Sequence, residues 1–193
     1  MTTTLWLLFA VDPKVSGVAD PFAADGVLMH HNPPLLRTAT HNDMHAIWQI
    51  DAKVFGEDVY PAFFFRQAMD LWPELLLVAE YEGQLVGYVL GGFGQERSQG
   101  WVLSLAVLPE ARGFGLAERM MRQMEANMEG LQICELQLTV DPANPAQRLY
   151  YRLGYTLQAE VADYFGPGED RLLLVKTLSG TAAIQGQNRL QNA

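Results

Sequence analysis

The chain is poor in the residues that build disulfides, clustered metal sites and histidine-dependent catalytic centres. Cys134 is the single cysteine among 193 residues, which excludes an intrachain disulfide and a cysteine-rich zinc site. The four histidines all lie near the amino terminus, at His30, His31, His41 and His45. Because no imidazole is available from residue 46 onward, we expect neither a Ser-His-Asp triad nor a bound metal in the main part of the chain.

Basic residues and long apolar runs are also scarce. The 13 lysines and arginines are outnumbered by 22 acidic residues, giving a net charge of −9. This balance argues against a nucleic-acid partner and suits either a cationic partner or acidity that serves solubility. No run approaches the length of about 20 apolar residues that a membrane helix needs. The start, MTTTLWLLFAV, lacks the basic segment and cleavage site of a signal peptide, so we expect no membrane partner and a cytoplasmic location.

What is present indicates one globular domain with a sizeable core. The chain is 49% hydrophobic and 18% charged, and aromatic residues are plentiful. Residues 1–34 form a poorly patterned N-terminal extension, and residues 179–193 are polar and small, which predicts a flexible C-terminal tail. The domain is therefore expected over residues 35–178.

Hydrophobic periodicity predicts a mixed α/β domain with one central sheet, in the order β-α-α-β-β-β-α-β-α-β-β. The predicted strands are 35–40, 75–81, 84–91, 101–107, 134–140, 155–165 and 170–176, and the predicted helices are 41–55, 62–71, 113–129 and 145–154. In the third helix, Leu116, Met120, Met124 and Met128 recur at four-residue steps. Such a stripe faces a sheet, and its methionines are typical of core filling rather than of a ligand site.

The stretch LAVLPEARGFGLAERMM, residues 105–121, places glycines where a strand turns into a helix. Glycines let successive backbone N–H groups face one concavity, and the helix N-terminus adds about half a positive charge and up to four unpaired N–H donors. A phosphate group suits such a cradle. Glu118 stands where a dinucleotide fingerprint needs its third glycine, and the Gly-Lys-Ser/Thr of a P-loop is absent. The alternative is an ordinary glycine-bearing turn.

The same stretch resembles the acyl-CoA-binding motif of the GNAT N-acetyltransferase superfamily. That motif reads Arg/Gln-x-x-Gly-x-Gly/Ala, which Arg112, Gly115 and Ala117 match. The resemblance covers about residues 35–176. It implies a GNAT-like fold, with a mainly antiparallel central sheet flanked by helices, and acetyl-CoA as the acetyl donor.

A second block, LTVDPANPAQRLYYRLGY at 138–155, resembles the next motif of the family. That motif has an asparagine, a tyrosine seven residues later and then Gly-Phe/Tyr, which correspond to Asn144, Tyr151 and Gly154-Tyr155. In the family, the strand before the cradle splays from its neighbour and admits the pantetheine arm. The implied cofactor-binding residues are Leu105, Ala106 and Val107 along the strand, Arg112, Gly113, Phe114, Gly115, Leu116 and Ala117 around the pyrophosphate, and Asn144.

The implied chemistry is direct transfer of an acetyl group from a thioester to a neutral amine. The backbone at Ala106 and Val107 is the expected oxyanion donor. Tyr151 holds the family's general-acid position, and a phenol with a pKa near ~10 can give a proton to a departing thiolate. Its alternative is a helix tyrosine that packs on the sheet, a role we assign to Tyr150.

No general base is evident. Some family members carry glutamate or histidine where this chain has Thr139, which can hold a water but cannot act as a base at neutral pH. Glu80 on the hairpin is conceivable as a base, but a solvated charge is the simpler interpretation. Deprotonating a lysine-type amine at pH 7 costs about 4.6 kcal/mol, whereas an α-amine costs about 1 to 1.4 kcal/mol. The missing base thus favours an α-amine, or transfer through an ordered water.

A further likeness concerns the acceptor side. DYFGPGEDRLLLVK, residues 163–176, is similar to the Tyr-Tyr…Gly-Glu-Asp-Ala hairpin of ribosomal-protein and other protein N-terminal acetyltransferases, with Tyr164 matching a tyrosine. Phe165 and Arg171 depart from that pattern, and a plain hairpin with a Pro-Gly turn is the alternative. The opposite wall would be the FGEDVYP loop, whose acidic residues can attract an ammonium group. The predicted substrate-binding residues are Glu57, Asp58, Tyr60, Thr139 and Tyr164.

These observations leave several functions open. The first is an acetyl-CoA-dependent N-acetyltransferase acting on a primary amine, with a protein or peptide N-terminus favoured. The alternatives are a small-molecule amine acetyltransferase, an acyltransferase for longer chains and a non-catalytic acyl-CoA-binding regulatory domain. We expect a monomer or a homodimer.

Overall fold

The helices and strands follow one another in the predicted order. The computed structural model describes residues 33–56 and 59–178. The strands are β1 Leu35–Thr38, β2 Leu76–Tyr81, β3 Gln84–Phe93, β4 Gln99–Val107, β5 Glu135–Val140, β6 Thr156–Val161 and β7 Arg171–Thr177. The helices are α1 Met44–Phe55, α2 Ala62–Leu71, α3 Leu116–Gly130 and α4 Gln147–Arg152. Apart from residues 33–34, the predicted extension and the predicted tail lie outside the described residues.

The described strands form one sheet that is antiparallel except at its centre. Its order is β1-β2-β3-β4-β5-β7-β6, and β4 and β5 are the parallel pair. Their ladder is short, joining residues 99–102 of β4 to residues 135–138 of β5. Beyond it the two strands continue to Val107 and Val140 without pairing with each other, which opens a wedge at their carboxyl ends. The family resemblance implied such a splay, and the register confirms it.

A β-bulge lies where β4 leaves β5. Leu90 of β3 faces Ser104 of β4, whereas Gly91 faces Val102, so Leu103 is the extra residue. A bulge bends its strand and increases the local twist. The bend at Leu103 therefore directs the last residues of β4 away from β5.

Two apolar layers cover the two faces of the sheet. Helices α1 and α2 contribute Ile47, Ile50 and Phe65 to one layer, and α3 and α4 pack on the other face. The predicted stripe of α3 is buried, with Leu116 at 3% exposure and Met120, Met124 and Met128 at 0%. Burying one such side chain stabilises the fold by about 1.5–3 kcal/mol. Gly91 permits this close packing, because an added Cβ would lie 2.8 Å from the Met124 sulfur.

The predicted boundaries were wrong mainly where glycines and side-chain bonds govern the backbone. Helix α3 begins at Leu116 rather than at residue 113, since Gly113 and Gly115 adopt φ of 88° and 71°, outside the helical range. The first helix is preceded by a 3-10 turn at His41–Asp43. Strand β6 ends at Val161, four residues early, so the β6–β7 loop is longer than predicted. In the part of the chain described, no helix is long and apolar enough to span a membrane.

Candidate active site

The glycine stretch before α3 forms the predicted cradle. Gly113 and Gly115 both have left-handed φ values, which turn the chain into the helix without a Cβ in the way. The Arg119 N–H donates to the Gly115 carbonyl at 3.1 Å. The helix geometry therefore leaves the N–H groups of Leu116, Ala117 and Glu118 without an intrahelical carbonyl. These donors and the positive end of the helix dipole suit an anion.

Arg112 is fastened to the end of β4 rather than extended into solvent. Its Nε donates to the Val107 carbonyl at 3.1 Å, and the side chain is half-buried. Burial lowers the pKa of Arg112, and the nearby Glu110 opposes that shift. The arginine thereby joins the cradle to the edge of the wedge.

A cavity of about 390 Å³ lies between the cradle and α4. The predicted residues that line it are Val107, Arg112, Gly113, Gly115, Leu116 and Ala117. Its far wall comes from α4 and the turn before it, including Arg148, Leu149 and Arg152. Leu105, Ala106, Phe114 and Asn144 do not line this cavity, although all four lie close to it in sequence. Three arginines thus face one cavity in a chain whose net charge is −9.

The last residues of β4 direct alternate backbone groups into the wedge. The Leu108 N–H donates to the Val86 carbonyl at 2.9 Å, and Val107 faces Gly87 across the antiparallel ladder. Val107 is thus in a non-hydrogen-bonded pair, whose N–H and C=O point away from β3. The backbone N–H and C=O of Leu105 also point away from β3, whereas those of Ala106 point toward β3. Of the predicted strand edge, Val107 and Leu105 can pair with a ligand and Ala106 cannot.

Asn144 carries an unpartnered polar group. The residue is 3% exposed, and its Oδ1 accepts from the Ala146 N–H at 2.8 Å. Its Nδ2 is buried and bonds to none of the residues that the structure describes. A buried amide donor without a partner is costly, so this atom fits a ligand carbonyl or hydroxyl.

The two tyrosines of α4 lie in different surroundings. Tyr151 is 45% exposed, whereas Tyr150 is 2% exposed and packs edge-to-face on Tyr155 at 6.0 Å. Burial raises the pKa of Tyr150. The predicted packing role of Tyr150 is confirmed.

The predicted acceptor residues lie on three separate elements. Thr139 follows the last residue of β5 that pairs with β4 and is half-buried where the wedge begins. Tyr60 is half-buried after α1, with its ring stacked on Phe64 at 4.5 Å. Tyr164 is 39% exposed in the β6–β7 loop and packs edge-on against Phe165 at 4.7 Å. Glu57 and Asp58 lie outside the described residues.

Glu80, the alternative base, is not a free solvated charge. It accepts from Arg37 Nε at 3.0 Å, and its side chain is 29% exposed. The prediction failed because the pairing partner lies on β1, far away in sequence. A carboxylate held by an arginine on the outer strands of the sheet is poorly placed to take a proton from an acceptor at the wedge.

Comparison with known proteins decides the family. Residues 41–155 match the acetyltransferase (GNAT) family. The chain belongs to this family. It is 34% identical to the N-terminal acetyltransferase A complex catalytic subunit NAA10 of Arabidopsis thaliana, over 75% of this chain and 78% of that protein. It is 31% identical to an uncharacterized N-acetyltransferase of Methanocaldococcus jannaschii, over 74% of this chain and 90% of the relative.

The fold agrees with this assignment. The crystal structure of Ard1 from Thermoplasma volcanium superposes with a TM-score of 0.70 at 19% identity, covering 76% of this chain and 98% of that one. As a GNAT enzyme, the protein is an N-acetyltransferase that uses acetyl-CoA. The cradle, the arginines and the orphan amide of Asn144 fit that donor's phosphates and amide-bearing arm. Acetyl-CoA supplies the acetyl group in activated thioester form.

Sequence reasoning missed two groups of residues in this GNAT enzyme. Arg148 and Arg152 lie four residues apart and share one face of α4, a spacing that was visible but not used. The second group is a buried polar network around Asp51, which accepts from the Tyr60 N–H at 2.7 Å and from the Tyr88 hydroxyl. Its signal was also visible, because Asp51 lies four residues after Ile47 on the apolar stripe of α1.

Proposed function

We propose that this acetyltransferase acetylates the α-amine of a peptide or protein N-terminus. The observation that carries the proposal is that, among the residues the structure describes, no base lies where β4 and β5 begin to part, and Thr139 stands there in place of the glutamate or histidine of some relatives. Glu80 is bonded to Arg37. An α-amine loses its proton at a cost of about 1 to 1.4 kcal/mol at pH 7, against about 4.6 kcal/mol for a lysine side chain. A site without a strong base therefore favours the α-amine.

The acceptor enters, in this proposal, between two loops that flank the wedge. Tyr60 supplies one wall and Tyr164 the other, with Thr139 between them at the end of the paired part of β5. Glu57 and Asp58, which belong to the first loop, attract the ammonium form of the incoming amine. The relative NAA10 is the catalytic subunit of an N-terminal acetyltransferase complex, which supports an acceptor of this kind.

The donor side uses the cavity and the wedge. The N–H groups of the cradle, Arg112 and the α4 arginines hold the phosphates, and the Asn144 Nδ2 meets the arm. The Val107 N–H, which points away from β3, stabilises the negative charge that develops on the thioester oxygen. As the amine nitrogen bonds to the thioester carbon and the C–S bond breaks, Tyr151 donates its phenolic proton to the departing sulfur. The proton that the nitrogen loses passes to solvent, and Tyr151 regains a proton from solvent.

Two neighbouring tyrosines make a matched test of the proton donor. We expect Tyr151→Phe to lower kcat by about 10²–10⁴-fold while the Kd for coenzyme A, measured by calorimetry, stays the same. Tyr150→Phe removes a hydroxyl from the buried ring beside it and should leave kcat within about threefold. If only Tyr150→Phe abolished turnover, the buried tyrosine would be the donor. If neither variant lost activity, a phenolic general acid would be excluded.

The acceptor class is tested with pairs of peptides that differ in one amine. Each peptide is offered with a free N-terminus and, separately, with a blocked N-terminus and a free lysine. Mass spectrometry locates the acetyl group, and thiol release gives the rate. We expect acetylation of the free N-terminus and little of the lysine. Exclusive acetylation of lysine or of small amines would overturn the acceptor assignment, and binding of coenzyme A without thiol release would support the regulatory alternative.

Two coarser expectations accompany this function. We propose that the enzyme acts in the cytoplasm, which its single cysteine favours, and that it is a monomer or a homodimer. Light scattering during size-exclusion chromatography measures the second property directly.

A further inference from the structure

We propose that Asp51 is a positioning residue that fastens Tyr60, which precedes α2, to the centre of the sheet and thereby sets the affinity for the acceptor. The inference rests on the proposed function, in which Tyr60 forms one wall of the acceptor site. Asp51 does not touch the acceptor. It acts through Tyr60, the residue at the far end of the loop between α1 and α2.

Asp51 is a carboxylate in an apolar layer. It is 0% exposed on α1, among Ile47, Ile50 and Phe65. Burial of a charged carboxylate costs several kcal/mol unless hydrogen bonds compensate. Its Oδ2 accepts the Tyr60 N–H at 2.7 Å, and its Oδ1 accepts the Tyr88 hydroxyl. One oxygen is therefore committed to the loop and the other to β3.

The network continues to β4. Ser104 Oγ lies 2.8 Å from the Tyr88 hydroxyl oxygen, and because the single phenolic proton goes to Asp51, the serine is the donor. Tyr88 and Ser104 are 0% and 3% exposed. The three side chains thus join α1, β3 and β4 in one buried chain of hydrogen bonds.

A second bond ties the loop to the same strand. The Tyr60 hydroxyl donates to the carbonyl of Leu103 at 3.4 Å, and Leu103 is the bulged residue at which β4 leaves β5. Tyr60 is therefore held at its N–H by Asp51 and at its hydroxyl by the start of the wedge. These two attachments fix the end of the loop relative to the place where the acetyl group is transferred.

The cradle does not depend on this network. It lies at the start of α3, whose stripe packs on the opposite face of the sheet from α1. Loosening Tyr60 should therefore change how the acceptor binds and leave the binding of coenzyme A unchanged. A residue that merely stabilised the fold would alter both sites together.

The test uses Asp51→Asn and Tyr88→Phe, with Ser104→Ala as the control. Asparagine keeps the shape but replaces one accepting oxygen by a donor, so it cannot accept both bonds. Phenylalanine removes the bond that orients the carboxylate. Ser104→Ala removes a hydroxyl from the same network but leaves the bonds from Tyr60 and Tyr88 to Asp51 in place.

We expect Asp51→Asn and Tyr88→Phe to raise KM for the acceptor peptide by about tenfold or more, with the Kd for coenzyme A within about twofold of wild type. The Tyr60 amide should also lose protection from hydrogen exchange, while Ser104→Ala should behave like wild type. An unchanged KM in a variant whose Tyr60 amide has lost protection would overturn the proposal. So would an equal loss of acceptor and coenzyme A binding.

Hydrogen exchange also separates this proposal from the proposed function. If wild type acetylates a different amine, KM is measured for that amine and the same outcomes apply. If wild type acetylates no amine, the proposed function fails. In that case, unchanged Tyr60 protection in both variants would overturn the anchoring independently.

Discussion

At the scale of single residues, one ion pair shows how local bonds set a pKa and through it a pH dependence. Arg37 Nη1 and Nη2 donate to the two oxygens of Asp43 at 2.7 and 2.9 Å. The Thr40 N–H and hydroxyl add bonds at 2.7 and 2.8 Å. The bond from Arg37 is the largest cause that holds the pKa of Asp43 well below its usual range, against the opposing effect of burial.

The sign of the resulting pH effect follows from linkage. A carboxyl whose pKa is lower in the folded state contributes stability above its unfolded pKa, and that contribution declines as pH falls toward the folded pKa. We expect Asp43→Asn to lower the free energy of unfolding by about 1–3 kcal/mol at pH 7. The difference from wild type should shrink below about pH 4. Urea unfolding at pH 7, 5 and 3 measures it.

The control for this effect is Asp70→Asn. Asp70 also pairs with an arginine, Arg66, at 3.0 Å, but its side chain is 52% exposed. A pair so exposed contributes little to stability, so the free energy of unfolding of this variant should stay within about 1 kcal/mol of the wild-type value. A deficit in Asp43→Asn that persisted undiminished at pH 3 would rule out the proposed pairing as its cause.

At the scale of elements, the sequence predicted what depends on local periodicity. The stripe of α3 from Leu116 to Met128 was recognisable, because four-residue spacing alone indicates a buried helix face. The bulge at Leu103 and the bond between Asp51 and Tyr60 were not predictable in this way. Each depends on which strand or loop lies opposite, and the local periodicity of the sequence does not reveal that neighbour. The same holds for Glu80, whose partner Arg37 is 43 positions away.

The β6–β7 loop is held by a buried arginine that departs from the family pattern. The Arg171 side chain is 4% exposed, donates to Glu169 Oε2 at 3.1 Å and lies 3.7 Å from Asp141 Oδ2. Its guanidinium also lies 4.9 Å from the centroid of the Phe165 ring. Since the Asp141 carbonyl accepts the Asn144 N–H at 3.0 Å, one arginine joins the loop to the turn that carries Asn144.

Removal of this arginine should loosen the loop. We expect Arg171→Ala to lower the free energy of unfolding by about 3–5 kcal/mol, because it leaves the buried Asp141 and the half-buried Glu169 without their arginine. Limited proteolysis should then cut within residues 162–170 faster than in wild type. Arg66→Ala, which removes an exposed arginine, is the control and should leave both measurements nearly unchanged. Wild-type stability and cleavage in Arg171→Ala would show that the loop is held by other contacts.

At the scale of the whole molecule, each apolar layer carries a different part of the proposed site, and the two parts adjoin at the wedge. The layer of α3 and α4 carries the cradle and the cavity, and the layer of α1 and α2 carries Tyr60 and its anchor. The sheet separates them except where β4 and β5 part after residues 102 and 138. In the proposed reaction, a donor held on one face meets an acceptor held by the other at this opening, so the end of the short parallel ladder would set the place of acetyl transfer.

Binding of coenzyme A at the cradle should raise the free energy of unfolding of the entire chain. At a concentration of 100 times its Kd, coenzyme A adds about 2.7 kcal/mol to the free energy of unfolding. For a chain of this length that corresponds to a rise in Tm of about 5–10 °C. We expect Gly115→Ala to suppress the rise, because the residue lines the cavity and its φ of 71° is strained for alanine.

Gly83→Ala is the control that separates the effect of backbone strain on Tm from the effect of lost coenzyme A binding. Gly83 has a φ of 78°, and like Gly115 it has no atom within 4 Å of an added Cβ, but it lies in the β2–β3 turn. Both substitutions impose the same backbone cost of about 1–2 kcal/mol, so both should lower Tm similarly without ligand. Differential scanning calorimetry with and without coenzyme A should then show the full rise in Gly83→Ala and little in Gly115→Ala. An equal rise in the two variants would mean that the glycine cradle does not bind the donor.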